Sequence, residues 1–193
     1  MDIDLIKDLR EKTGAGVMEC RRALVDSKGD FSKAVQILKE KGLEIALKKA
    51  SRQAKEGQVE AYVHLGGKIG VLVEINCETD FVARNELFKK LCRDIAMQIA
   101  ATNPLYLKTE DVSKEVLEKE KQALKETLGI KSGANFDKTW ETHLVQFNQA
   151  SCLLEQPFIR DEKLAIKDYL NSVIAQFGEN IQIRRFVRYQ LGE

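Results

Sequence analysis

The sequence predicts an α+β protein: a small helical module, then a larger core in which helices cover a β-hairpin and a C-terminal strand. Apolar residues recur at helical spacing as far as Leu38, and the period changes to two between Val59 and Ile75. The final stretch, Ile181–Leu191, combines β-branched and aromatic residues with arginines, a composition suited to a strand.

In the N-terminal module, Leu5, Ile6 and Leu9 mark a first helix, which Thr13-Gly14-Ala15-Gly16 breaks. A second helix is expected from about Val17 to Ser27, with Val17, Cys20 and Leu24 on one side. Gly29 closes it, and Asp30 is placed to cap a third helix carrying Phe31, Ala34, Val35 and Leu38. Gly42 interrupts that pattern and leaves Leu43–Lys49 for one or two further turns. Three short helices around a few apolar side chains are marginal alone, so the module reads as a recognition head and not an enzyme domain. Met18 lies about a quarter-turn off the Val17–Leu24 face. It is either exposed beside the Gly-Ala-Gly turn or fills a gap in the small core.

Lys48–Gln58 is polar and basic without interleaved aromatics, as a solvated linker is. The expected division is a head at 1–50, a linker at 51–57 and a core at 58–193. Val59, Ala61, Val63 and Leu65 alternate with polar or amphipathic residues, Gly66-Gly67 supplies a two-residue turn, and Ile69, Val71, Val73 and Ile75 alternate again. The expectation is a hairpin with one face buried. His64, at its tip, has no acid or metal partner nearby in sequence and reads as a surface residue.

Thr79-Asp80-Phe81-Val82-Ala83-Arg84-Asn85 then forms a strand-to-helix corner. Thr79 is an N-cap by type, and Asp80 falls in the first turn, where the helix dipole favours a carboxylate. Asn85 looks like a second cap, separating Phe81 from the apolar series Phe88, Leu91, Cys92, Ile95 and Ile99 of the following helix. An aromatic on a short projecting turn is either a plug of the core or a probe for another protein. Asn103-Pro104 ends the long helix. Ser113 begins another, with Val116, Leu117, Ala123, Leu124 and Leu128 on its apolar side and Gly129 and Gly133 bracketing its end. Trp140, Leu144 and Phe147 mark the next helix, Leu153–Ile159 is extended, and Leu164–Phe177 returns to helix before Gly178. Ile181–Leu191 suits a third strand beside the hairpin.

Composition narrows the function. Among 193 residues, 31 basic side chains face 30 acidic ones, so the net charge of +1 provides no field to gather nucleic acid. No apolar run approaches the roughly 20 residues of a membrane helix, and Met1-Asp2-Ile3-Asp4 lacks the start of a signal peptide. A cytoplasmic protein with no membrane or direct nucleic-acid partner is expected. Cys20, Cys77, Cys92 and Cys152 are dispersed, with only His64 and His143 as imidazoles, which suits buried reduced thiols better than zinc. No Gly-rich phosphate loop, metal-ligand cluster or serine elbow is present. These features point to a binding or regulatory protein, with no catalytic residues, metal or cofactor of its own.

Two motifs carry a family resemblance. Leu9-Arg10 with Thr13-Gly14-Ala15-Gly16-Val17-Met18-Glu19-Cys20 and Ala23-Leu24 resembles the N-terminal signature of the elongation factor Ts family. Glu74-Ile75-Asn76-Cys77-Glu78-Thr79-Asp80-Phe81-Val82-Ala83 resembles its second signature, and Gln156-Pro157-Phe158 and Ile183-Arg184-Arg185-Phe186 resemble its C-terminal region. The resemblance implies a head of the ubiquitin-associated type and an α+β core with a three-stranded antiparallel sheet. It implies guanine nucleotide exchange on elongation factor Tu bound to GDP, acting on the nucleotide and Mg2+ of that partner. Asp80 and Phe81, flanked by Thr79 and Val82, would disturb the metal site; Arg10 and Gly14, Ala15, Gly16, Val17 and Met18 would contact the GTPase from the head. Longer family members have a second core subdomain and a coiled coil, whereas this chain has a single hairpin. It resembles the short form, which implies a homodimer and a two-to-two assembly. Gly133–Ser151 matches least well and receives no role. The alternative is a protein-interaction module that binds through the head without promoting exchange.

Overall fold

The computed structural model describes residues 3–129 and 134–193; the expectations for Met1, Asp2 and Gly133 lie outside the described residues. The chain forms two compact units, one of residues up to Ala100 together with Lys167–Glu193, the other Ala101–Ile166. The first begins with helices α1 (Ile3–Thr13), α2 (Val17–Asp26) and α3 (Phe31–Lys49), which close on Leu9, Cys20, Ala23, Leu24, Ala34 and Leu38. The Asp30 carboxylate accepts the Lys33 N–H at 3.0 Å and starts α3 as expected.

Two expectations for these helices need correction. Val17, assigned to the buried side of α2, is 49% exposed. Helical spacing sets direction around an axis, but Val17 is the first residue of α2 and the side chains buried from this helix are Cys20, Ala23 and Leu24. Gly42 does not interrupt α3, which runs through it as one helix. The penalty of about 1 kcal/mol for glycine in a helix interior is offset by packing: Gly42 is buried and faces the helix Ile166–Phe177.

Strands β1 (Glu56–Val63) and β2 (Ile69–Cys77) follow, then the short helix α4 (Asp80–Ala83) and the long α5 (Glu86–Thr102). In the second unit, α6 (Lys114–Leu128) and α7 (Ala134–Ser151) precede a small ribbon of β3 (Pro157–Phe158) and β4 (Asp161–Ala165). That ribbon replaces the single extended segment and the helical start at Leu164 expected there. Ser113 caps α6 through its hydroxyl, and Gly129 ends it at φ +65°. The chain then returns to the first unit with α8 (Ile166–Phe177) and β5 (Gln182–Gln190).

The main sheet is antiparallel in the order β1-β2-β5, with the C-terminal strand beside the hairpin as predicted. Its register overturns the expectation of one apolar face. Val59 pairs with Glu74, Ala61 with Leu72 and Val63 with Gly70, and directly paired residues share a face. The apolar series of β1 and β2 therefore lie on opposite sides. Val71, Val73 and Ile75 are buried with Phe88, Leu91, Cys92, Ile95 and Ile99 of α5, and Arg188 of β5 donates to the Ala100 carbonyl. The other side is open: Val59, Val63, Leu72, Val187 and Tyr189 are 63%, 68%, 46%, 38% and 70% exposed. The turn is also wider than two residues. Gly67 N–H bonds the His64 carbonyl, with Gly66 at φ +88° in the third position, where a type II turn needs a glycine.

Two glycines should respond oppositely to a methyl group. At Gly42 an added Cβ would meet Asn171 O at 3.7 Å and the Ala175 Cβ at 3.9 Å, both ordinary contacts. Gly42→Ala should therefore stabilise the fold by about 0.5–1 kcal/mol through helix propensity. At Gly57 (φ +140°) the Cβ would fall 2.1 Å from Ile75 O, a backbone atom of the paired strand. Gly57→Ala should destabilise by more than about 2 kcal/mol. Urea denaturation of both variants checks the pair; a lower midpoint for Gly42→Ala would mean that α3 and α8 cannot tolerate the methyl group.

Candidate functional site

The Thr79–Asn85 corner is built by two successive caps. Thr79 is extended (φ −127°, ψ 153°), and its hydroxyl accepts the Val82 N–H at 3.5 Å to start α4. Asn85 Oδ1 then accepts the Leu87 N–H at 2.9 Å to start α5, as the sequence predicts. Between the caps the side chains diverge. Val82 is buried, Asp80 is half-buried and pairs with Arg84 at 2.9 Å, and Phe81 is 84% exposed. Phe81 is thus a projecting aromatic and not a plug of the core.

What holds this turn lies far away in the sequence. The Glu179 carboxylate, from the α8–β5 connection, accepts the Glu78 N–H at 3.2 Å, the Thr79 N–H at 3.1 Å and the Thr79 hydroxyl at 2.7 Å. The bonds run in the opposite direction one residue along: Asn180 N–H donates to Glu78 Oε1 at 2.6 Å. Asn180 Nδ2 also donates to the Arg52 carbonyl at 2.7 Å, and Arg52 Nη1 reaches Glu78 Oε2 at 3.5 Å. Three segments remote in sequence meet here. The only local hint is that Glu179-Asn180 follows a helix-closing glycine, Gly178 at φ +66°. Glu78 and Glu179 therefore serve as partners for backbone groups and not as ordinary solvated charge. Asp94 is likewise buried and accepts from Lys90 Nζ at 2.7 Å and Tyr169 Oη at 2.9 Å.

The head residues form a second surface around the α1–α2 turn. Gly14 adopts φ +67° and donates its N–H to the Arg10 carbonyl at 2.7 Å. Gly16, by contrast, sits at φ −62°, which any residue can adopt. Arg10, Gly14, Gly16, Val17 and Met18 are exposed and Ala15 is half-buried. Met18, at 69% exposure, lies outside the small core. No described hydrogen bond or ion pair joins this turn to the Thr79–Val82 turn.

All four cysteines are buried and unpaired. Burial, followed by the Glu179 charge, pushes the Cys77 thiol up to about 11, and Cys77 Sγ donates to the Thr79 carbonyl at 3.1 Å. Burial, then Glu60, pushes Cys92 up to about 12. Among the described residues no three His, Cys, Asp or Glu side chains cluster as metal ligands would. None of the helices there is long and apolar enough to cross a membrane.

The fold and site define a class: an α+β protein with a helical head whose distinguishing residues stand on two exposed turns. The chain matches the Elongation factor TS family over residues 4–193. It is 55% identical over 190 residues to elongation factor Ts of Thermodesulfovibrio yellowstonii, covering 98% of this chain and 95% of that protein. Identity to the Carboxydothermus hydrogenoformans elongation factor Ts is 56% over 191 residues, with 98% of this chain and 88% of that protein covered. For that of Methylacidiphilum infernorum it is 49% over 193 residues, with 100% and 96% covered. The chain belongs to the elongation factor Ts family, whose role is in translation elongation.

The buried thiols make stability fall at alkaline pH. Above pH 9 the unfolded thiols ionise while the folded ones, at about 11 and about 12, remain protonated. The unfolded state then binds fewer protons and is stabilised relative to the fold. The free energy of unfolding should therefore decline between pH 9 and 11, and less steeply in Cys92→Ala than in the parent. Urea melts at each pH measure it; equal slopes would remove Cys92 as a contributor.

Proposed function

We propose that this chain is a cytoplasmic guanine nucleotide exchange factor for elongation factor Tu. It is not an enzyme in this reading and carries no cofactor or metal of its own. It acts on the GDP and Mg2+ held by the GTPase. One observation carries the proposal: within a chain of this family, Phe81 projects at 84% exposure from a turn capped on both sides. An aromatic left in water at a fixed point is suited to enter a partner's surface, since its burial is deferred to the complex.

Exchange requires that the factor bind the nucleotide-free GTPase better than the loaded one, and the coupling is reciprocal. Weakening GDP a thousandfold needs about 4 kcal/mol of differential binding. Burial of one phenylalanine supplies about 1.5–3 kcal/mol. Phe81 is thus the wedge, Asp80 adds a charge beside the displaced metal environment, and Thr79 and Val82 fix the turn. The remainder comes from the head, residues 1–50, through Arg10 and Gly14–Met18, with the linker at 51–57 and the core at 58–193 completing the division. Displacing Mg2+ matters because it is the largest charge neutralising the GDP phosphates.

The chain acts as a homodimer in a two-to-two complex in this proposal. Support comes from the open side of the sheet, where Val59, Val63, Leu72, Val187 and Tyr189 lie on three adjacent strands. An exposed face carrying several apolar side chains suits a two-fold contact with its own copy.

Phe81→Ala should slow stimulated GDP release at least about tenfold, while its melt moves by less than about 0.5 kcal/mol because the ring is exposed. Stopped-flow release of a fluorescent GDP from elongation factor Tu measures the first, and denaturant unfolding the second. Binding without acceleration by the parent chain would favour the interaction-module reading. Leu72→Glu should convert the dimer to a monomer with unchanged helical circular dichroism, read by sedimentation velocity; a variant still dimeric would place the contact elsewhere.

A further inference from the structure

We infer that Glu179 is a positioning residue for the wedge: its carboxylate sets the conformation in which the Thr79–Val82 turn presents Asp80 and Phe81. The inference rests on the exchange function proposed above and assigns a role to a residue outside both exposed turns.

The turn has little else to hold it. Helix α4 is four residues long, far below the length at which a helix sustains itself. Phe81 contributes no burial at 84% exposure, and the Asp80–Arg84 pair is solvent-exposed, where ion pairs contribute little. Val82 anchors the turn by burial, and Cys77 Sγ donates to the Thr79 carbonyl at 3.1 Å. The strand ladder ends at Cys77, so the next two amides, of Glu78 and Thr79, have left their sheet partners. The Glu179 carboxylate takes both of them on Oε2 and the Thr79 hydroxyl proton on Oε1.

That last bond is chemically directive. A threonine hydroxyl has one proton and two acceptor lone pairs. When the proton is fixed on a carboxylate oxygen at 2.7 Å, the lone pairs are left for the Val82 N–H, whose cap bond is long at 3.5 Å. Without the carboxylate the proton can turn toward the helix and the cap weakens. Glu179 is itself restrained, because its neighbour Asn180 is buried and bonds Glu78 Oε1 and the Arg52 carbonyl. The wedge is therefore preorganised from the α8–β5 connection, 100 residues away in sequence.

A positioning role predicts a specific kinetic signature. The head and core surfaces survive in Glu179→Ala, so association with the GDP-loaded GTPase persists, whereas the step in which the wedge acts is impaired. Stopped-flow release of fluorescent GDP, run against increasing concentrations of the full chain, separates the two. In Glu179→Ala the rate at saturation should fall about tenfold or more, as expected for losing hydrogen bonds to a charged acceptor, with the half-saturating concentration changing less than about threefold. Glu179→Gln keeps an oxygen for the two amides but offers the hydroxyl a donor, so its rate should lie between. In the free protein, the Val82–Arg84 amides should exchange hydrogen about tenfold faster or more in Glu179→Ala. Should Glu179→Ala lose its cooperative melt, Glu179→Gln carries the same comparison. An unchanged saturating rate, unchanged amide protection, or a loss confined to the half-saturating concentration would overturn the assignment. A parent chain that does not accelerate release would instead overturn the exchange function and this role with it.

Discussion

Three hydrogen bonds to the Glu179 carboxylate join the end of the central strand to the turn that leaves the last helix. The chain has three exits at this point: from the head at Ala50–Arg52, from β2 at Glu78–Thr79, and from α8 at Glu179–Asn180. Each carries backbone groups that its own helix or strand no longer satisfies. Buried without partners, such groups cost about 1–3 kcal/mol each. They are satisfied by each other's side chains, Asn180 on Ala50 and Arg52, Glu179 on Glu78 and Thr79, and Glu78 on Asn180. The exposed aromatic turn is a by-product of this closure: once Thr79 is fixed, Val82 turns inward and Phe81 must turn out.

The sheet supplies the frame on which that junction rests, and its register has a consequence for assembly. One face is closed by α5. The other gathers the apolar residues of β1 with Leu72, Val187 and Tyr189, so the sheet is apolar on both sides. An isolated hairpin gains by placing its apolar residues on one face. Splitting them between two faces costs exposed apolar surface unless a second layer arrives, and the homodimer proposed above would supply one.

Much of the architecture was legible in the residues. The helices of the head, the hairpin, the amphipathic α5, the capped α6 and the third strand follow from period, caps and turn residues. The errors have local causes. Val17 has the right direction around α2 but the wrong position along it. Gly42 obeys helix propensity less than it obeys the packing of α8. The two-faced sheet was in principle readable, since a turn at Gly66-Gly67 already pairs odd residues of β1 with even residues of β2. Two clean alternations imply one buried face only if the parity set by the turn is left out.

The sequence by itself determined the α+β class, the family, and the small set of residues around Thr79–Val82 and Arg10–Met18 on which function is proposed to rest. These are encoded in contiguous stretches, where caps, periodicity and motifs act over a few residues. The tertiary structure alone decided that Phe81 and Met18 face water, that the outer sheet face is apolar, and that Glu179 holds the turn. Those properties depend on groups brought together across as many as 100 residues. Neither spacing nor propensity carries that information, because a carboxylate beside a helix-closing glycine looks the same whether it meets solvent or the orphan amides of another strand.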